Sequence, residues 1–251
     1  MTGYPEQRLL ITGNSSGLGY ALTQHYLDQN WRVYGCSRRG CDGLGGFLSD
    51  MRCDLTDLEA IPLCLEELLG TAEKLDLVIL NAGILGGIRD ISETPLADIR
   101  HIMDINVWSN KGILDWLANS ALRVDQVVMI SSGASILGNN GWGGYALSKT
   151  ALNMLAKLYA HEMPETHLVS LAPGLIDSGM MTYLCEEADV ERFPALERLR
   201  EARQTDAMQS PLQAAENIAS VIDPLRDFDS GSFVDIRQIL APDLYASLYG
   251  K

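Results

Sequence analysis

Short apolar runs alternate along the chain with longer segments in which apolar residues recur every three or four positions. The short runs are typical of strands buried on both faces, and the longer segments of helices that cover a sheet. Strands are predicted over Arg8–Thr12, Arg32–Ser37, Leu75–Asn81, Gln126–Ser131, His167–Ala172 and Gly231–Asp235, with a further strand just before the sequence MRCDLTD. Helices are predicted over Gly19–Asp28, Leu58–Leu68, Pro95–Asn119, Tyr145–Glu162 and Pro211–Ile222. This alternation predicts an α/β fold whose helices connect parallel strands.

Residues 177–210 lie between a predicted strand and the last predicted helix and are expected to form a helical insertion. Parallel α/β sheets bind ligands beyond the carboxyl ends of their strands, so this excursion is expected to act as a lid. Met180, Met181, Tyr183 and Leu184 are expected to cover the site, although packing alone would give the same helical spacing. With 251 residues, 47% of them hydrophobic, the chain is expected to form a single domain with a sizeable core.

The chain is strongly acidic, with 33 Asp and Glu against 19 Lys and Arg and a net charge of −14. This charge opposes binding to nucleic acid or to an anionic membrane surface. The five cysteines show no C-x-x-C spacing and the four histidines no H-E-x-x-H pattern, so no metal site is predicted. No signal peptide opens the chain and no apolar run approaches the ~18 residues of a membrane span. We therefore expect a soluble, cytoplasmic protein with reduced thiols.

The sequence LLITGNSSGLGYAL joins the first predicted strand to the first helix and places glycines at positions 13, 17 and 19. A phosphate group can approach such a turn closely, and the helix that begins there offers unpaired N–H groups. The spacing differs from the G-x-G-x-x-G of the commoner dinucleotide fingerprint. The turn therefore indicates a dinucleotide site, with a merely tight connection as the alternative.

The second predicted strand ends in Ser37, Arg38 and Arg39, without a carboxylate. An acidic residue at this point holds the ribose diol of NAD, whereas a cation suits the 2′-phosphate of NADP. The arginines could also be no more than a solvated turn. Because the chain as a whole is acidic, this local pair of cations favours NADPH over NADH.

The sequence MRCDLTD places Asp54 at the end of the third predicted strand. Its carboxylate could accept a hydrogen bond from the adenine amino group of the cofactor. The alternative is that Asp54 caps the helix predicted from Leu58, a role that Thr56 or Asp57 would fill better.

Tyr145 and Lys149 lie four positions apart in a predicted helix and therefore share one face. A free phenol has a pKa near 10, too high for proton exchange at neutral pH. An adjacent ammonium favours the phenolate, so Lys149 is expected to lower the pKa of Tyr145. On spacing alone, an ordinary helix face is an equal alternative.

Six motifs occur together in a specific order: TGNSSGLG at 12–19, NAG at 81–83, DINVWSN around Asn106, MISSGAS around Ser132, YALSK at 145–149 and PGLIDS at 173–178. In this order the chain resembles the short-chain dehydrogenase/reductase family over nearly its whole length. The resemblance implies a single-domain Rossmann fold, that is, a doubly wound parallel sheet that binds NAD(P). It further implies an oxidoreductase acting on a small-molecule alcohol or carbonyl substrate, assembled as a homodimer or homotetramer.

The resemblance also implies a role for each residue of the catalytic set. Tyr145 would donate a proton to the carbonyl oxygen of the substrate, and Ser132 would hold the same oxygen. Ser131 is the nearest rival, but alternation along a strand end lets only one of the two serines face the site, and the family spacing selects Ser132. Lys149 would reach the hydroxyls of the nicotinamide ribose, and Asn106 would bend its helix and hold a water that relays protons to Lys149.

The cofactor contacts that the resemblance implies lie in the glycine turn and at the strand ends. They are Gly13, Asn14, Ser15, Ser16, Gly17, Leu18, Gly19, Ser37, Arg38, Arg39, Asp54, Leu55, Asn81, Ala82, Gly83, Tyr145, Lys149, Pro173, Gly174, Ile176 and Ser178. The main chain of Ile176 and the hydroxyl of Ser178 would meet the carboxamide. Two positions depart from the family pattern: Leu80 replaces a frequent asparagine, and Ser178 replaces a threonine while keeping the hydroxyl.

The sequences GWGGYALSKTALNML and DSGSFVDIRQ resemble the sepiapterin reductase and benzil reductase branch of this family, whose members reduce vicinal dicarbonyls with NADPH. Asp235 would then bind substrate, or alternatively pair with Arg237. Trp142 would form one wall of the substrate pocket, or equally be a core aromatic. The leading hypothesis is an NADPH-dependent carbonyl reductase. The alternatives are an alcohol dehydrogenase working in the oxidising direction and a non-catalytic NADP(H)-sensing or scaffold protein.

Overall fold

A seven-stranded sheet runs through the centre of the protein, in a computed structural model that describes residues 6–249. Its strands are β1 (Arg8–Thr12), β2 (Arg32–Ser37), β3 (Leu48–Arg52), β4 (Leu77–Leu80), β5 (Gln126–Ile130), β6 (His167–Ala172) and β7 (Ser232–Asp235). The order across the sheet is β7-β6-β5-β4-β1-β2-β3, and all neighbours are parallel. The α/β fold predicted from the alternation is confirmed.

Helices cover both faces of the sheet. They are α1 (Gly17–Asp28), α2 (Ala60–Leu69), α3 (Leu96–Met103), α4 (Ser109–Asn119), α5 (Gly143–Glu162) and α6 (Pro211–Val221). Helices α1 and α6 pack together on one face, and α2, α4 and α5 cover the other. Successive residues of β1 point to opposite faces, so that Leu10 joins one core cluster while Leu9 and Ile11 join the other.

The strand order reverses at β1, which pairs with β2 on one side and with β4 on the other. In an open parallel sheet, the loops on the two sides of such a reversal leave a crevice at the carboxyl ends of the strands, where ligands bind. The glycine turn follows β1 directly, so the fold places this turn at the crevice.

The helix predicted over Pro95–Asn119 is continuous but contains a π-helical turn at Asp104–Trp108, between α3 and α4. In this turn the Ser109 N–H bonds to the Asp104 carbonyl, five positions back instead of four. The side-chain amide of Asn110 donates to the Asn106 carbonyl at 2.8 Å. The helix is therefore irregular around Asn106, the residue at which the resemblance implied a bend.

Residues 177–210 form two short helices, Gly179–Thr182 and Ala195–Ala202, with a π-turn at Tyr183–Glu187 between them. The sequence did not predict the small parallel ladder that joins the two ends of this excursion, where Leu175–Ile176 pairs with Met208–Gln209. The excursion is thus closed at its base. Across residues 6–249, no helix is both long and apolar enough to cross a membrane.

The remaining elements are short. They are the helices Ala134–Leu137, Arg237–Leu240 and Pro242–Tyr249, the 3-10 turns Ile91–Glu93 and Pro224–Asp227, and the strand pair Lys74–Leu75 with Arg123–Val124.

Candidate active site

The glycine turn is built so tightly that side chains are excluded from it. Gly13 and Gly17 have φ angles of +72° and +55°, in the left-handed region that favours glycine. A Cβ on Gly19 would lie 2.2 Å from the Gly13 carbonyl oxygen, a contact no side chain can make. The turn therefore brings bare backbone to the surface at the start of α1.

Thr12 fastens this turn to the loop that follows β4. Its Oγ1 accepts hydrogen bonds from the main-chain N–H groups of Asn81 and Ala82, both at 3.1 Å. The Asn81 amide donates in return to the Thr12 carbonyl at 3.0 Å. Because Thr12 is fully buried, these bonds fix the two loops on either side of the crevice relative to each other.

The N-terminus of α1 is open to an anion. Ser16 is its N-cap residue, but the side chain makes no capping hydrogen bond and the first turn carries no acidic residue. The first N–H groups of the helix and its positive dipole end are therefore available. Ser178 stands close by, with its Cβ 3.9 Å from the point where a Cβ on Gly17 would lie.

Of the two arginines after β2, Arg39 contacts the glycine turn. Arg39 Nη2 donates to Ser16 Oγ at 2.9 Å and contacts Ser15 Oγ at 3.4 Å, while Arg38 is exposed. The Ser37 hydroxyl is buried, and no hydrogen-bond partner for it is found among residues 6–249. A concentration of positive charge therefore borders the outer end of the crevice.

Two predicted cofactor contacts turn their side chains away from the crevice. Asn14 is fully buried and donates to Asp50 Oδ1 at 2.6 Å, passing over Gly35, where a Cβ would meet the Asn14 amide at 2.1 Å. Leu55 packs into the core cluster beneath the sheet. Only the main chain of these two residues is left to meet a ligand.

Asp54 is exposed at the end of β3, and its Oδ1 accepts from the N–H and the hydroxyl of Thr56 at 3.0 and 2.9 Å. These hydrogen bonds lower the pKa of the carboxyl, which therefore remains ionised at neutral pH. The helix that follows takes its N-terminal contact from Asp57, which accepts from the Ala60 N–H at 3.2 Å. Asp54 therefore does not cap this helix, whose N-cap residue is Glu59.

Tyr145, Lys149 and Ser132 meet where α5 passes the carboxyl end of β5. Lys149 Nζ lies 5.7 Å from the centre of the Tyr145 ring and donates to the Ile130 carbonyl at 2.7 Å. The Ser132 hydroxyl hydrogen-bonds to Tyr145, and this contact lowers the pKa of the phenol. Burial acts more strongly in the opposite direction, so the pKa of Tyr145 is raised in the protein alone.

The expectation that Lys149 lowers the pKa of Tyr145 therefore does not describe the protein without a ligand. Burial also lowers the pKa of Lys149, from 10.5 to about 8, because the ammonium has left water. Both groups thus tend toward their neutral forms, and added positive charge would be needed to favour the phenolate.

Asn106 is fully buried and holds three elements together. Its amide accepts from the Ile84 N–H at 2.8 Å and donates to the Ile84 carbonyl at 2.9 Å. It also donates to Ser148 Oγ at 2.9 Å, and Ser148 donates to the Tyr145 carbonyl at 2.7 Å. Asn106 thereby links the loop after β4 to the helix that carries Tyr145 and Lys149.

Pro173 and Gly174 form the turn after β6, and Gly174 has a φ of +84°. Gln209 supports this turn from the far end of the 177–210 segment by donating to the Pro173 carbonyl at 3.2 Å. Ile176 is paired in the small ladder with Gln209, and Ser178 begins the first helix of the segment. The ladder thus carries the chain from the end of β6 to the edge of the glycine turn.

A cavity of about 430 Å³ opens between the loop after β4 and the 177–210 segment. Gly83, Ile84, Leu85, Gly86, Gly87, Met180 and Tyr183 line it. Met181 and Leu184 face away from it, into an apolar cluster that includes Trp142 and Phe193. Trp142 therefore packs in the apolar core that supports the segment, while its contact with substrate stays a prediction.

Asp235 is fully buried and belongs to an ion pair rather than to the cavity lining. Arg237 Nε donates to Asp235 Oδ1 at 2.7 Å, and Arg237 Nη2 contacts the second carboxylate oxygen. The Arg237 N–H adds a third bond at 3.0 Å. The pairing considered as the alternative is thus the arrangement that the structure adopts.

A family model described as short chain dehydrogenase matches residues 7–189, a span that contains the glycine turn, Ser132, Tyr145 and Lys149. The chain belongs to the short-chain dehydrogenase family. It is therefore an oxidoreductase, and the family implies a nicotinamide cofactor.

Comparisons with individual proteins are consistent with membership of this family. A benzil reductase ((S)-benzoin forming) of Saccharomyces cerevisiae is 29% identical over 235 residues, which are 85% of this chain and 89% of that protein. A benzil reductase ((S)-benzoin forming) of Bacillus subtilis is 26% identical over 242 residues, 92% of this chain and 98% of that protein. The solved structure of a short-chain dehydrogenase/reductase from Saccharomyces cerevisiae has the same fold, with a TM-score of 0.79, 22% identity, and coverage of 94% of this chain and 98% of that one.

The crevice fits the cofactor that the short-chain dehydrogenase family implies. The glycine turn leaves a cradle that a Cβ on Gly13 would fill, because it would lie 2.9 Å from Ala82 Cα. The uncapped start of α1 suits a pyrophosphate, and Arg39 lies beside it in contact with Ser16. Among the described residues, no cluster of His, Cys, Asp and Glu has the geometry of a metal site.

Most of the predicted site residues surround one crevice at the carboxyl ends of β1, β4, β5 and β6. None of the four predicted substrate contacts, Ser132, Trp142, Tyr145 and Asp235, is among the residues that line the cavity, and Asn14 and Leu55 are turned into the protein. Sequence reasoning missed the hydrogen-bonding roles of Thr12 and Ser148, although both stand inside motifs that were recognised, TGNSSGLG and YALSK. The signal that could have identified them is a hydroxyl side chain inside a strand or helix that is otherwise largely apolar.

Proposed function

We propose that the protein is an NADPH-dependent carbonyl reductase that acts on ketones and vicinal dicarbonyls, with Tyr145 as the general acid. The observation that carries this proposal is the meeting of Ser132, Tyr145 and Lys149 at one strand end beside the cavity. The similarity to two benzil reductases supports the dicarbonyl substrate class.

The roles follow from the positions of the side chains. When bound, the nicotinamide supplies a hydride to the carbonyl carbon of the substrate. Tyr145 Oη gives its proton to the carbonyl oxygen, and Ser132 Oγ steadies the same oxygen by a hydrogen bond. The raised pKa of Tyr145 keeps the phenol protonated, as an acid requires.

Lys149 has three N–H donors, and one is engaged by the Ile130 carbonyl. The others are available to ribose hydroxyls, the role proposed for this residue. Asn106 Oδ1 and Lys149 Nζ border one small space, since they lie 3.2 and 3.5 Å from the point where a Cβ on Gly83 would stand. We propose that a water held there passes protons between Lys149 and solvent.

A panel of diketones, simple ketones, quinones and pterins, with NADPH consumption as the readout, tests this function. We expect turnover of at least one dicarbonyl, and Tyr145→Phe should abolish it while leaving NADPH binding in place. Equal rates for wild type and Tyr145→Phe on every active substrate would refute the mechanism. Turnover only of alcohols with NADP⁺ would indicate the dehydrogenase alternative, and binding without turnover would indicate the sensor alternative.

The preference for NADPH is supported by Arg39, which reaches across to Ser16, and by the exposed guanidinium of Arg38. Arg38→Asp is expected to weaken NADPH binding far more than NADH binding. Arg226→Asp makes the same charge change in the exposed 3-10 turn before β7 and serves as a control. Equal losses of NADPH and NADH affinity in Arg38→Asp would refute the 2′-phosphate role.

We also propose a cytoplasmic homodimer or homotetramer. Five free, buried thiols support a reducing compartment. Helix α5 leaves Leu147, Met154 and Leu158 exposed, which supports association through this helix. Light scattering tests the assembly: Leu158→Glu should shift the protein toward monomer, and a wild-type monomer at all concentrations would refute it.

A further inference from the structure

Helix α5 presents a third polar residue one turn beyond Tyr145 and Lys149. Asn153 follows Lys149 by four positions and points to the same end of β5. Lys149 binds the carbonyl of Ile130, and Asn153 binds the side chain of the next residue, Ser131. The helix is therefore joined to two consecutive residues that lead into Ser132.

The contacts of Asn153 form a chain in which the direction of each hydrogen bond follows from the one before. Ser131 Oγ donates to Asn153 Oδ1 at 2.6 Å, so the amide nitrogen of Asn153 faces Ser135. That nitrogen donates to Ser135 Oγ at 2.9 Å, and the Ser135 hydroxyl donates to the Ser132 carbonyl at 2.7 Å. One amide thus fixes the residue before Ser132 and, through Ser135, the main chain of Ser132 itself.

Few other contacts hold the Ser132 hydroxyl. Besides Tyr145, its Oγ accepts from the Ala134 N–H at 3.1 Å, which is a contact inside the same turn. The turn that carries Ser132 leaves the sheet at Ser131, where the Ser131 N–H still bonds to the Leu171 carbonyl at 2.8 Å. Beyond that point two side chains of α5 link the turn to the helix that bears Tyr145. Asn153 contacts Ser131 and Ser135, and Thr150 Oγ1 donates to the Ser135 carbonyl at 2.8 Å, so that of the two only Asn153 reaches the residue next to Ser132.

We propose that Asn153 is a positioning residue that holds Ser132 in register with Tyr145. This inference rests on the proposed function, because register between the two hydroxyls matters only if both act on one oxygen. A displacement of about 1 Å from productive geometry can cost ~100-fold in rate. The same displacement would weaken the hydrogen bond from Ser132 that lowers the pKa of Tyr145.

Asn153→Leu keeps the number and branching of the side-chain heavy atoms and the helix while removing both polar contacts. We expect kcat to fall about 10-fold with KM changed less than about twofold, because binding of the rest of the substrate is untouched. Ser135→Ala breaks the same chain at its next link, so the double variant should lose no more than the stronger single one. Additive losses, or an unchanged kcat in Asn153→Leu, would overturn the proposal.

Thr166→Val is the matched control. Thr166 Oγ1 donates to the Val124 carbonyl at 2.8 Å in a buried contact at the opposite end of the sheet. Its loss should lower stability as Asn153→Leu does but leave kcat unchanged. If Thr166→Val lowered kcat equally, the effect of Asn153 would be general destabilisation and the proposal would fail.

A second measurement needs no turnover. Ultraviolet titration of tyrosinate, taken as the difference between each protein and its Tyr145→Phe counterpart, isolates the Tyr145 phenol. Asn153→Leu should move this titration to higher pH, since the Ser132 contact that favours the phenolate is weakened. An unmoved titration would overturn the inference even if the wild type reduced no carbonyl compound, an outcome that would refute the proposed function separately.

Discussion

Replacing Lys149 by methionine is expected to change how protein stability depends on pH. Burial lowers the pKa of the Lys149 ammonium from 10.5 to about 8 in the folded protein. In the unfolded chain the ammonium returns to water and titrates near ~10.4. Between these two values the unfolded chain holds a proton that the folded protein has lost, so the free energy of unfolding rises with pH across this window. Below about pH 8 the ammonium is charged in both states, and its burial lowers stability in full.

The size of the effect follows from two opposing contributions. At about 1.4 kcal/mol for each tenfold change in proton affinity, the lowered pKa corresponds to about 3 kcal/mol of destabilisation at neutral pH. The hydrogen bond from Nζ to the Ile130 carbonyl at 2.7 Å can be donated by the charged and by the neutral amine, and the variant loses it. Such a bond contributes about 1 kcal/mol net, so desolvation wins by about 2 kcal/mol. Lys149→Met should therefore be the more stable protein at neutral pH.

The assay is urea unfolding of wild type and Lys149→Met, both without cofactor, in steps between about pH 7 and about pH 10. Groups that titrate in both proteins, such as the Cys41 thiol with a pKa raised to about 11, cancel in the difference. The variant should be more stable by about 2 kcal/mol at neutral pH. Wild type should gain about 3 kcal/mol across the window, so that it becomes the more stable protein near the alkaline end. A difference that stays constant with pH would refute the reasoning.

Two further predictions concern the turn and the 177–210 segment. Gly19→Ala should abolish NADP(H) binding, measured by fluorescence titration, because its Cβ would lie 2.2 Å from the Gly13 carbonyl oxygen. Gly45→Ala is the control: a Cβ at this position has no atom within 4 Å, so the variant should bind NADP(H) normally. Arg192 binds Asp90 and lies 2.8 Å from Glu93 in ion pairs that tie the segment to the loop after β4. Arg192→Ala should raise KM severalfold with little change in kcat, and the rise of KM with salt should be seen in wild type but not in the variant.

The sheet could be predicted from sequence because its signal is local. Strands buried on both faces appear as continuous apolar runs, and Arg8–Thr12, Arg32–Ser37 and His167–Ala172 begin and end where the pattern placed them. The Leu175–Ile176 and Met208–Gln209 ladder was missed because two residues give no periodicity. Its pairing depends on segments more than thirty positions apart.

Separation along the sequence also distinguishes the parts of the site that could be predicted from those that could not. Motif spacing brought Ser132, Tyr145 and Lys149 together, but it gave no view of the packing that surrounds them. The expectation that Lys149 lowers the pKa of Tyr145 took only one neighbour into account. Burial of the phenol has the larger effect and raises this pKa. Asn14 was assigned to the cofactor from its place in the turn, yet its partner Asp50 stands 36 positions away.

The ladder at the base of the 177–210 segment has a consequence for how this protein can diversify. Because both ends of the segment are already hydrogen-bonded to each other, the excursion leaves the sheet through a closed base. Doubling the length of a flexible loop costs only about 0.6 kcal/mol in closure entropy. The residues of the segment that lie outside its apolar cluster with Trp142 can therefore be exchanged, lengthened or shortened while the glycine turn and the Tyr145 helix keep their positions. A new substrate range is thus open to this scaffold through one continuous stretch of chain, without redesign of the machinery beneath it.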